Sequence, residues 1–150
     1  MEDIIVEQLK KISLQDADRI RILVTKLGQR HKPLSDEDLQ TMIDSSVTTI
    51  LVVRNPKEKH IVGMVTLAVY RIPYLKKAYL DDLIVDETHR GKGLGSKLIA
   101  AAMKLAEEKG AAYLDFTSHP SRTGANLLYE KLGFKKKESN AYRFTYDYEK

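Results

Sequence analysis

The segment HRGKGLG, residues 89–95, constrains the fold of this chain more than any other feature of the sequence. Glycine loses much backbone entropy when it becomes ordered, so three alternate glycines indicate a backbone path that side chains would obstruct. The apolar run YLDDLIV ends at Val85 shortly before this segment, and the amphipathic run GSKLIAAAMKLAEEKG begins within it. The pattern predicts a strand, a tight turn and a helix whose first N–H groups face an anion.

Phosphate is the anion that this segment favours, because the basic residues Arg90, Lys92 and Lys97 accompany the glycines. The P-loop pattern G-x-x-x-x-G-K-[ST] is absent from the sequence. The dinucleotide pattern G-x-G-x-x-G fits poorly, because the third glycine comes one position early. The acidic residue expected about 20 positions later would be Asp115, which we predict inside a strand rather than at its end.

The rest of the chain alternates short strands and amphipathic helices. Two helices follow a first strand in DIIVEQLKK, with Ser13 and Ser35 as N-caps and Gly28 ending the first helix. Two β-branched runs then flank the turn NPKEKH, and a terminal hairpin is predicted after Gly133. The order β, α, α, β, β, β, α, β, α, β, β predicts an α/β (α+β) fold, a mixed, mostly antiparallel sheet of about seven strands with about four helices. No repeat or linker divides residues 1–150, so we expect a single domain.

Composition excludes several classes of function. The chain has no cysteine, which rules out disulfides and a cysteinyl acyl-enzyme and fits a reducing compartment. The net charge of +4 suits an anionic small molecule better than nucleic acid, since no helix carries a basic face. No apolar run approaches the roughly 18 residues of a membrane span, and no signal peptide begins the chain, so we expect a cytoplasmic protein. The four histidines lack metal-ligand spacing, so we expect no metal.

The glycine segment, with Arg90-x-x-Gly93-x-Gly95 after a strand that ends in valine, resembles the GCN5-related N-acetyltransferase (GNAT) superfamily and its R/Q-x-x-G-x-G/A loop. The later segment SRTGANLLYEKLGF is similar to that family's L-Y-x-x-x-G-F motif, and the order of elements matches over nearly the whole chain. The resemblance implies an acetyl-CoA-dependent N-acetyltransferase that attacks the thioester directly in a ternary complex. It implies that the loop holds the pyrophosphate of coenzyme A through Arg90, Gly91, Lys92, Gly93, Leu94, Gly95 and Ser96.

The same resemblance assigns contacts to the pantetheine arm of acetyl-CoA. Backbone groups of Leu83, Ile84 and Val85 would pair with the arm as an additional strand, and one N–H among them would face the thioester oxygen. Many relatives carry an asparagine seven residues before the motif tyrosine. This chain has Arg122 there and Asn126 one helical turn closer to the tyrosine, so both are candidate cofactor contacts.

Proton transfer needs a base for the amine and an acid for the leaving thiolate. Asp81 and Asp82 are adjacent acids in an otherwise apolar strand, so side-chain alternation predicts that they face opposite sides of the sheet. This stretch is similar to that of polyamine and glucosamine-phosphate acetyltransferases, which implies that Asp81 accepts the proton and Asp82 binds the amine, or the reverse. Tyr129 matches the family's general acid, and its phenol can donate a proton to sulfur.

The acceptor stays open between a small-molecule amine and a protein amine. In GQRHKPLSDEDLQ, a basic cluster of Arg30, His31 and Lys32 would suit an anionic acceptor, and the acids of residues 36–38 would suit a cation or simply cap a helix. We expect the apolar terminal strands to pair across a homodimer. The alternative function is an acyl-CoA-binding regulatory protein on the same scaffold, which would bind the cofactor without turning over amines.

Overall fold

Two serines begin the first two helices, as the sequence predicts. The computed structural model describes residues 4–28 and 32–147. The Ser13 hydroxyl accepts the backbone N–H of Asp16 at 3.1 Å. Ser35 accepts the N–H of Asp38 at 3.0 Å while the Asp38 carboxylate accepts the N–H of Ser35 at 3.3 Å. This capping box satisfies two N–H groups that the helix itself leaves unpaired.

Four α-helices and five strands make up the described regular structure. They are β1 (Val6–Gln8), α1 (Leu14–Val24), α2 (Asp36–Asp44), β2 (Thr48–Arg54), β3 (Ile61–Arg71), β4 (Lys76–Val85), α3 (Leu94–Glu108), β5 (Leu114–Asp115) and α4 (Thr123–Lys131). One-turn 3-10 helices follow α1 and β4, at Thr25–Leu27 and Glu87–His89. In the described ranges, no helix has the length and apolar character needed to cross a membrane.

The sheet has the order β1-β2-β3-β4-β5. The first three pairings are antiparallel, and β4 pairs with β5 in parallel. A parallel pair requires a crossover, which α3 supplies. The mixed, mostly antiparallel sheet and the four helices confirm the predicted fold class.

The sheet is smaller than the sequence predicts, with five strands among the described residues instead of about seven. The first strand is confined to Val6–Gln8, β5 has two residues, and residues 134–147 form no strand in place of the predicted hairpin. The alternation of Tyr142, Phe144 and Tyr146 suggested a strand, but these side chains are 90%, 79% and 67% exposed. A strand whose aromatic face buries little gains little to offset its ordering entropy. Pairing of these residues across a dimer stays a prediction.

Side chains pack on both faces of the sheet. On one face, Ile50, Val52, Met64 and Ile84 pack with apolar residues of α1 and α2 in one cluster. On the other face α3 lies so close to Gly63 that an added Cβ would stand 2.8 Å from Val53 Cγ2 and 3.3 Å from Leu98 Cδ1. Glycine at position 63 therefore lets α3 pack closely against β3.

One arginine side chain joins β2 to α1 and to β1. Arg54, at the end of β2, binds Asp16 of α1 through Nη1–Oδ1 and Nη2–Oδ2 contacts of 2.7 and 3.1 Å. Its Nε donates to Glu7 of β1 at 2.8 Å. The Arg54 guanidinium lowers the pKa of the nearly buried Asp16 carboxyl by hydrogen bonding, more than burial raises it. The pair therefore contributes to stability only while Asp16 is ionised.

The contacts divide the chain into two compact units. The first ends at Phe116 and contains the whole sheet with α1, α2 and α3. The second begins at Thr117 and contains α4.

Candidate active site

The glycine segment forms a turn that only glycine readily adopts at two of its positions. Gly91 and Gly93 both have φ of +76°, and Gly93 is the N-cap of α3. That left-handed conformation strains residues that carry a Cβ. Gly95 differs, since its φ is ordinary and, apart from its chain neighbours and the nearby backbone of α3, no atom of the described residues lies within 4 Å of a Cβ built on it. Neither backbone strain nor packing within the protein explains Gly95, and the space above it is open.

Six consecutive backbone N–H groups have no hydrogen-bond acceptor among the described residues. The N–H of Arg90 donates to Glu87 O at 3.3 Å, and that of Lys97 donates to Gly93 O at 3.1 Å. Between them, the N–H groups of residues 91–96 donate to no acceptor in the described part of the chain. Consecutive unpaired N–H groups at the positive end of a helix dipole form an anion-binding concavity. The geometry therefore suits a diphosphate.

The predicted cations remain near this loop, and two of them also tie it to the chain. Arg90 Nε donates to Val85 O at 3.2 Å, at the end of β4, and Lys97 Nζ donates to Ile4 O at 3.3 Å. Lys92 lies exposed within the loop. All three are basic residues within or next to the stretch of unpaired N–H groups.

The edge of β4 lacks a neighbouring strand over its second half. Pairing with β5 is confined to Ala78–Leu114 and Tyr79–Asp115. On the other side, β3 remains paired through Ile84 and Val85. In the described ladder, residues 83–85 have no β5 partner, so this edge of β4 is open where the strand ends before the glycine loop. Extended ligands that contain amides bind such edges by adding a strand.

A β-bulge interrupts the regular alternation of β4 directly after Asp81. Thr66 pairs with Asp81 and Met64 pairs with Ile84, so three steps on β4 match two on β3. Asp82 lies within this bulge and has a φ of +53°. Asp81 consequently lies on the same sheet face as Ile84, with which it would alternate in a regular strand. One signal of this bulge was available in the sequence, namely two adjacent acids that interrupt the apolar pattern.

The carboxyl group of Asp81 is shifted towards its neutral form. Partial loss of hydration raises its pKa above the ordinary value of 3.8, and the negative charge of Asp82 adds to the effect. A carboxylate that is less stable when ionised is a better proton acceptor. Asp81 therefore has the character that the sequence analysis expected of a base.

The second unit holds the other three predicted residues on or next to α4. Arg122 is the N-cap residue of this helix, without a capping bond from its side chain. Asn126 Nδ2 donates to His119 O at 3.1 Å, so its amide closes the preceding turn. Tyr129 is 8% exposed, and its carbonyl accepts the N–H of Phe134 at 3.0 Å. The motif LYEKLGF therefore forms the end of α4 and the turn after it.

The acidic start of α2 has a structural role. Asp36 forms an ion pair with Arg21 of α1, and Asp38 completes the capping box described above. These contacts favour the helix-capping interpretation over an acceptor site. Of the basic cluster that precedes them, Lys32 is exposed, and Arg30 and His31 lie outside the described residues.

No role was predicted for Asp86 or His89, although both side chains are ordered by contacts just before the loop. The spacing D-x-T at residues 86–88 was the available signal, because aspartate commonly accepts the N–H two residues later. Among residues 4–28 and 32–147, no group of three or more histidine and acidic side chains could hold a metal ion.

The fold is shared with a solved acetyltransferase structure. The structure of AAC(6')-Iy in complex with the bisubstrate analogue CoA-S-monomethyl-acetylneamine has a TM-score of 0.76 to this chain, at 16% identity. The match covers 97% of this chain and 100% of that one. The likeness defines the fold class of the chain, an α/β fold that this acetyltransferase also has.

The sequence comparison places the chain within that class. It belongs to the Acetyltransferase (GNAT) family, whose sequence model matches residues 17–134. Aminoalkylphosphonate N-acetyltransferase of Salmonella typhimurium is 25% identical over 150 residues, covering 96% of this chain and 94% of that protein. N-alpha-acetyltransferase MAK3 of Arabidopsis thaliana is 34% identical over 58 residues, 39% of this chain and only 30% of that protein. The predicted family is confirmed, and its members take their acetyl group from acetyl-CoA.

Proposed function

We propose that this protein transfers an acetyl group from acetyl-CoA to the nitrogen of a primary amine, by direct attack within a ternary complex. One observation carries the proposal. The open edge of β4 leads into six unpaired N–H groups at residues 91–96, in one continuous stretch of backbone. A strand edge suits the amides of a pantetheine arm, and unpaired N–H groups suit a pyrophosphate.

The first unit would hold most of the cofactor. The N–H groups of residues 91–96 would bind the pyrophosphate, with Arg90 and Lys92 supplying charge. The open space above Gly95 fits this use, because a diphosphate must approach the backbone closely. Leu83, Ile84 and Val85 would bind the pantetheine amides through their backbone. We propose further cofactor contacts from Arg122 and Asn126 in the second unit.

The acids of β4 would handle the acceptor. The amine nitrogen forms a bond to the acetyl carbon as the carbon–sulfur bond breaks, and the nitrogen loses a proton. Asp81 would accept that proton, directly or through water, and its raised pKa supports this choice. Asp82 would bind the ammonium form before the proton leaves. Asp82 follows Asp81 directly and lies in the bulge with a left-handed backbone conformation.

Tyr129 would return a proton to the departing sulfur. A phenol is a donor at neutral pH and is close in strength to the thiol that it would generate. The motif position of Tyr129 supports this role, and Tyr129→Phe tests it because that change removes only the hydroxyl. We expect kcat to fall by about 10² or more if the phenol is the proton donor. An unchanged kcat would remove Tyr129 from this role.

The defining experiment has two stages. Titration of the protein with coenzyme A by calorimetry tests the binding site, and release of free thiol from acetyl-CoA over a panel of small amines and peptide amines tests turnover. Failure to bind coenzyme A would overturn the proposal. Binding without turnover on any amine would favour the acyl-CoA-binding regulatory protein instead. Any acceptor found should lose turnover in Asp81→Asn while coenzyme A binding is retained.

A further inference from the structure

The turn between β4 and the glycine loop is held by a chain of hydrogen bonds. Asp86 Oδ1 accepts both the backbone N–H and the hydroxyl of Thr88, each at 3.3 Å. Asp86 Oδ2 accepts Arg19 Nη2 at 2.9 Å, and Arg19 Nε donates to Ile61 O at 3.0 Å. The side chain of Asp86 therefore ties the start of the turn to α1 and to the start of β3.

His89 continues this chain to the opposite side of the turn. Its Nδ1 lies 2.9 Å from Thr88 Oγ1, and its Nε2 lies 3.0 Å from Asn55 Nδ2 in the β2–β3 turn. Asn55 is 34 residues earlier in the sequence. The contact therefore joins a separate hairpin to the residue immediately before Arg90.

The side-chain amide of Asn55 can face His89 in only one way. Its Oδ1 accepts the backbone N–H groups of Lys57 and Glu58 at 2.9 and 3.0 Å, so Nδ2 must be the atom directed at the imidazole. An amide nitrogen only donates, and Nε2 of His89 must therefore be an unprotonated acceptor.

This assignment fixes the proton on the other ring nitrogen. His89 Nδ1 carries the hydrogen and donates it to Thr88 Oγ1, whose own hydrogen goes to Asp86. Each of the three contacts from Asn55 through His89 and Thr88 to Asp86 then has one donor and one acceptor. The contacts select the neutral Nδ1–H tautomer of His89.

We propose that Asn55 is a positioning residue for the cofactor loop, acting through this tautomer of His89. The inference rests on the proposed binding of pyrophosphate by residues 91–96. Those residues donate no backbone hydrogen bonds of their own within the described structure, so the loop is placed by the elements at its two ends. One end is α3, and the other is the turn that Asn55 and His89 hold. Loosening the turn should therefore weaken cofactor binding without altering the groups that transfer protons.

The tautomer can be measured without any ligand. Long-range 15N–1H correlation spectra of the full chain near neutral pH should show His89 with Nδ1 protonated and Nε2 unprotonated. Asn55→Asp keeps the oxygen that the two backbone N–H groups need but faces His89 with an acceptor. In that variant we expect a hydrogen on Nε2. An Nε2–H tautomer in the unmodified protein would overturn the proposal.

Binding and kinetics test the consequence. We expect Asn55→Asp and Thr88→Val to raise the Kd for coenzyme A and the KM for acetyl-CoA about tenfold, the order of one lost hydrogen bond. We expect kcat to stay within about twofold, because no proton-transfer group is touched. Thr88→Ser restores the hydroxyl and should restore binding. Lys57→Ala, in the same turn and exposed, is the matched control.

The outcomes separate this proposal from the proposed function. If the unmodified protein binds coenzyme A and Asn55→Asp binds it equally well, the positioning role is wrong and the enzyme assignment stands. If the unmodified protein binds no coenzyme A, both are wrong. Reversible unfolding of a variant would also raise the apparent Kd, by the reciprocal of its folded fraction, so thermal unfolding of each variant is measured in the same buffer. A raised Kd in a variant that is fully folded at the assay temperature would support the positioning role.

Discussion

Substitution of Gly95 should change stability and cofactor binding in opposite directions. Gly95 lies in the first turn of α3 with ordinary backbone angles, and, apart from its chain neighbours and the nearby backbone of α3, an added Cβ meets no atom of the described residues within 4 Å. Glycine in a helix costs roughly 0.5–1 kcal/mol relative to alanine. For a chain of this size, Gly95→Ala should raise Tm by about 1–4 °C. Gly95→Gln should stabilise to a similar or slightly smaller extent, because glutamine is also a good helix former.

Cofactor binding should separate the two variants by size. The family pattern accepts alanine at this position, so Gly95→Ala should retain the affinity for coenzyme A to within about threefold, or 0.7 kcal/mol. The longer glutamine side chain would occupy the space above the N–H groups. We expect its Kd to rise at least about tenfold, or 1.4 kcal/mol. Glutamine is uncharged, so repulsion of the pyrophosphate cannot account for the loss.

Thermal unfolding and calorimetric titration with coenzyme A measure the two effects on the same samples. Ala100→Gln is the matched control, since it places the same side chain on an exposed face of α3 beyond its first turn. The control should leave the Kd unchanged. Unaltered affinity in Gly95→Gln would refute the assignment of residues 91–96 to the diphosphate. Destabilisation by Gly95→Ala would refute the argument that the space is open.

Three further substitutions test the fold and the base. Gly63→Ala should destabilise the protein by about 1–3 kcal/mol in chemical denaturation, because its Cβ would overlap Val53. Asp16→Asn should cost roughly 2–4 kcal/mol at neutral pH by leaving Arg54 without its main partner. Because the pKa of Asp16 is lowered by folding, this difference should begin to shrink as the pH falls through the ordinary value of 3.8, and the denaturation curves of variant and wild type should converge only below the lowered pKa. Asp81→Asn should lower kcat by about 10²–10⁴ without lowering Tm, because folding disfavours the ionised form. In the unmodified enzyme, kcat/KM should fall on the acid side with an apparent pKa above the ordinary aspartate value of 3.8.

Local features of the fold were predictable from the sequence. Ser13 and Ser35 begin helices because a hydroxyl can accept the N–H three residues later, an interaction that depends only on neighbouring residues. Gly91 and Gly93 indicated a left-handed turn for a similarly local reason. The candidate cofactor loop could therefore be found from the sequence, and the family model confirmed the family that its motif resembles.

Features that depend on pairing between distant segments could not be predicted. The bulge at Asp82 is defined by the register between β4 and β3, which alternation within β4 does not contain. The strand expected in residues 134–147 needs a partner and a buried face, and neither follows from its own alternating aromatics. The bond between Asn55 and His89 likewise joins side chains whose approach depends on how a hairpin meets a turn.

The additional residue in β4 changes which alternate residues of the strand face each side of the sheet. Before it, Ala78 and Leu80 pair with Val69 and Leu67 on the α3 side, and after it Ile84 joins the opposite core. Deleting one residue here would match two steps on β4 with two on β3, so both halves could keep their partners while the bulge and the left-handed conformation of Asp82 would be lost. Point substitutions of the acids leave the bulge intact, whereas a single-codon deletion removes it. Acceptor specificity in this protein should therefore evolve by replacement of side chains in β4, and hardly ever by a change in its length.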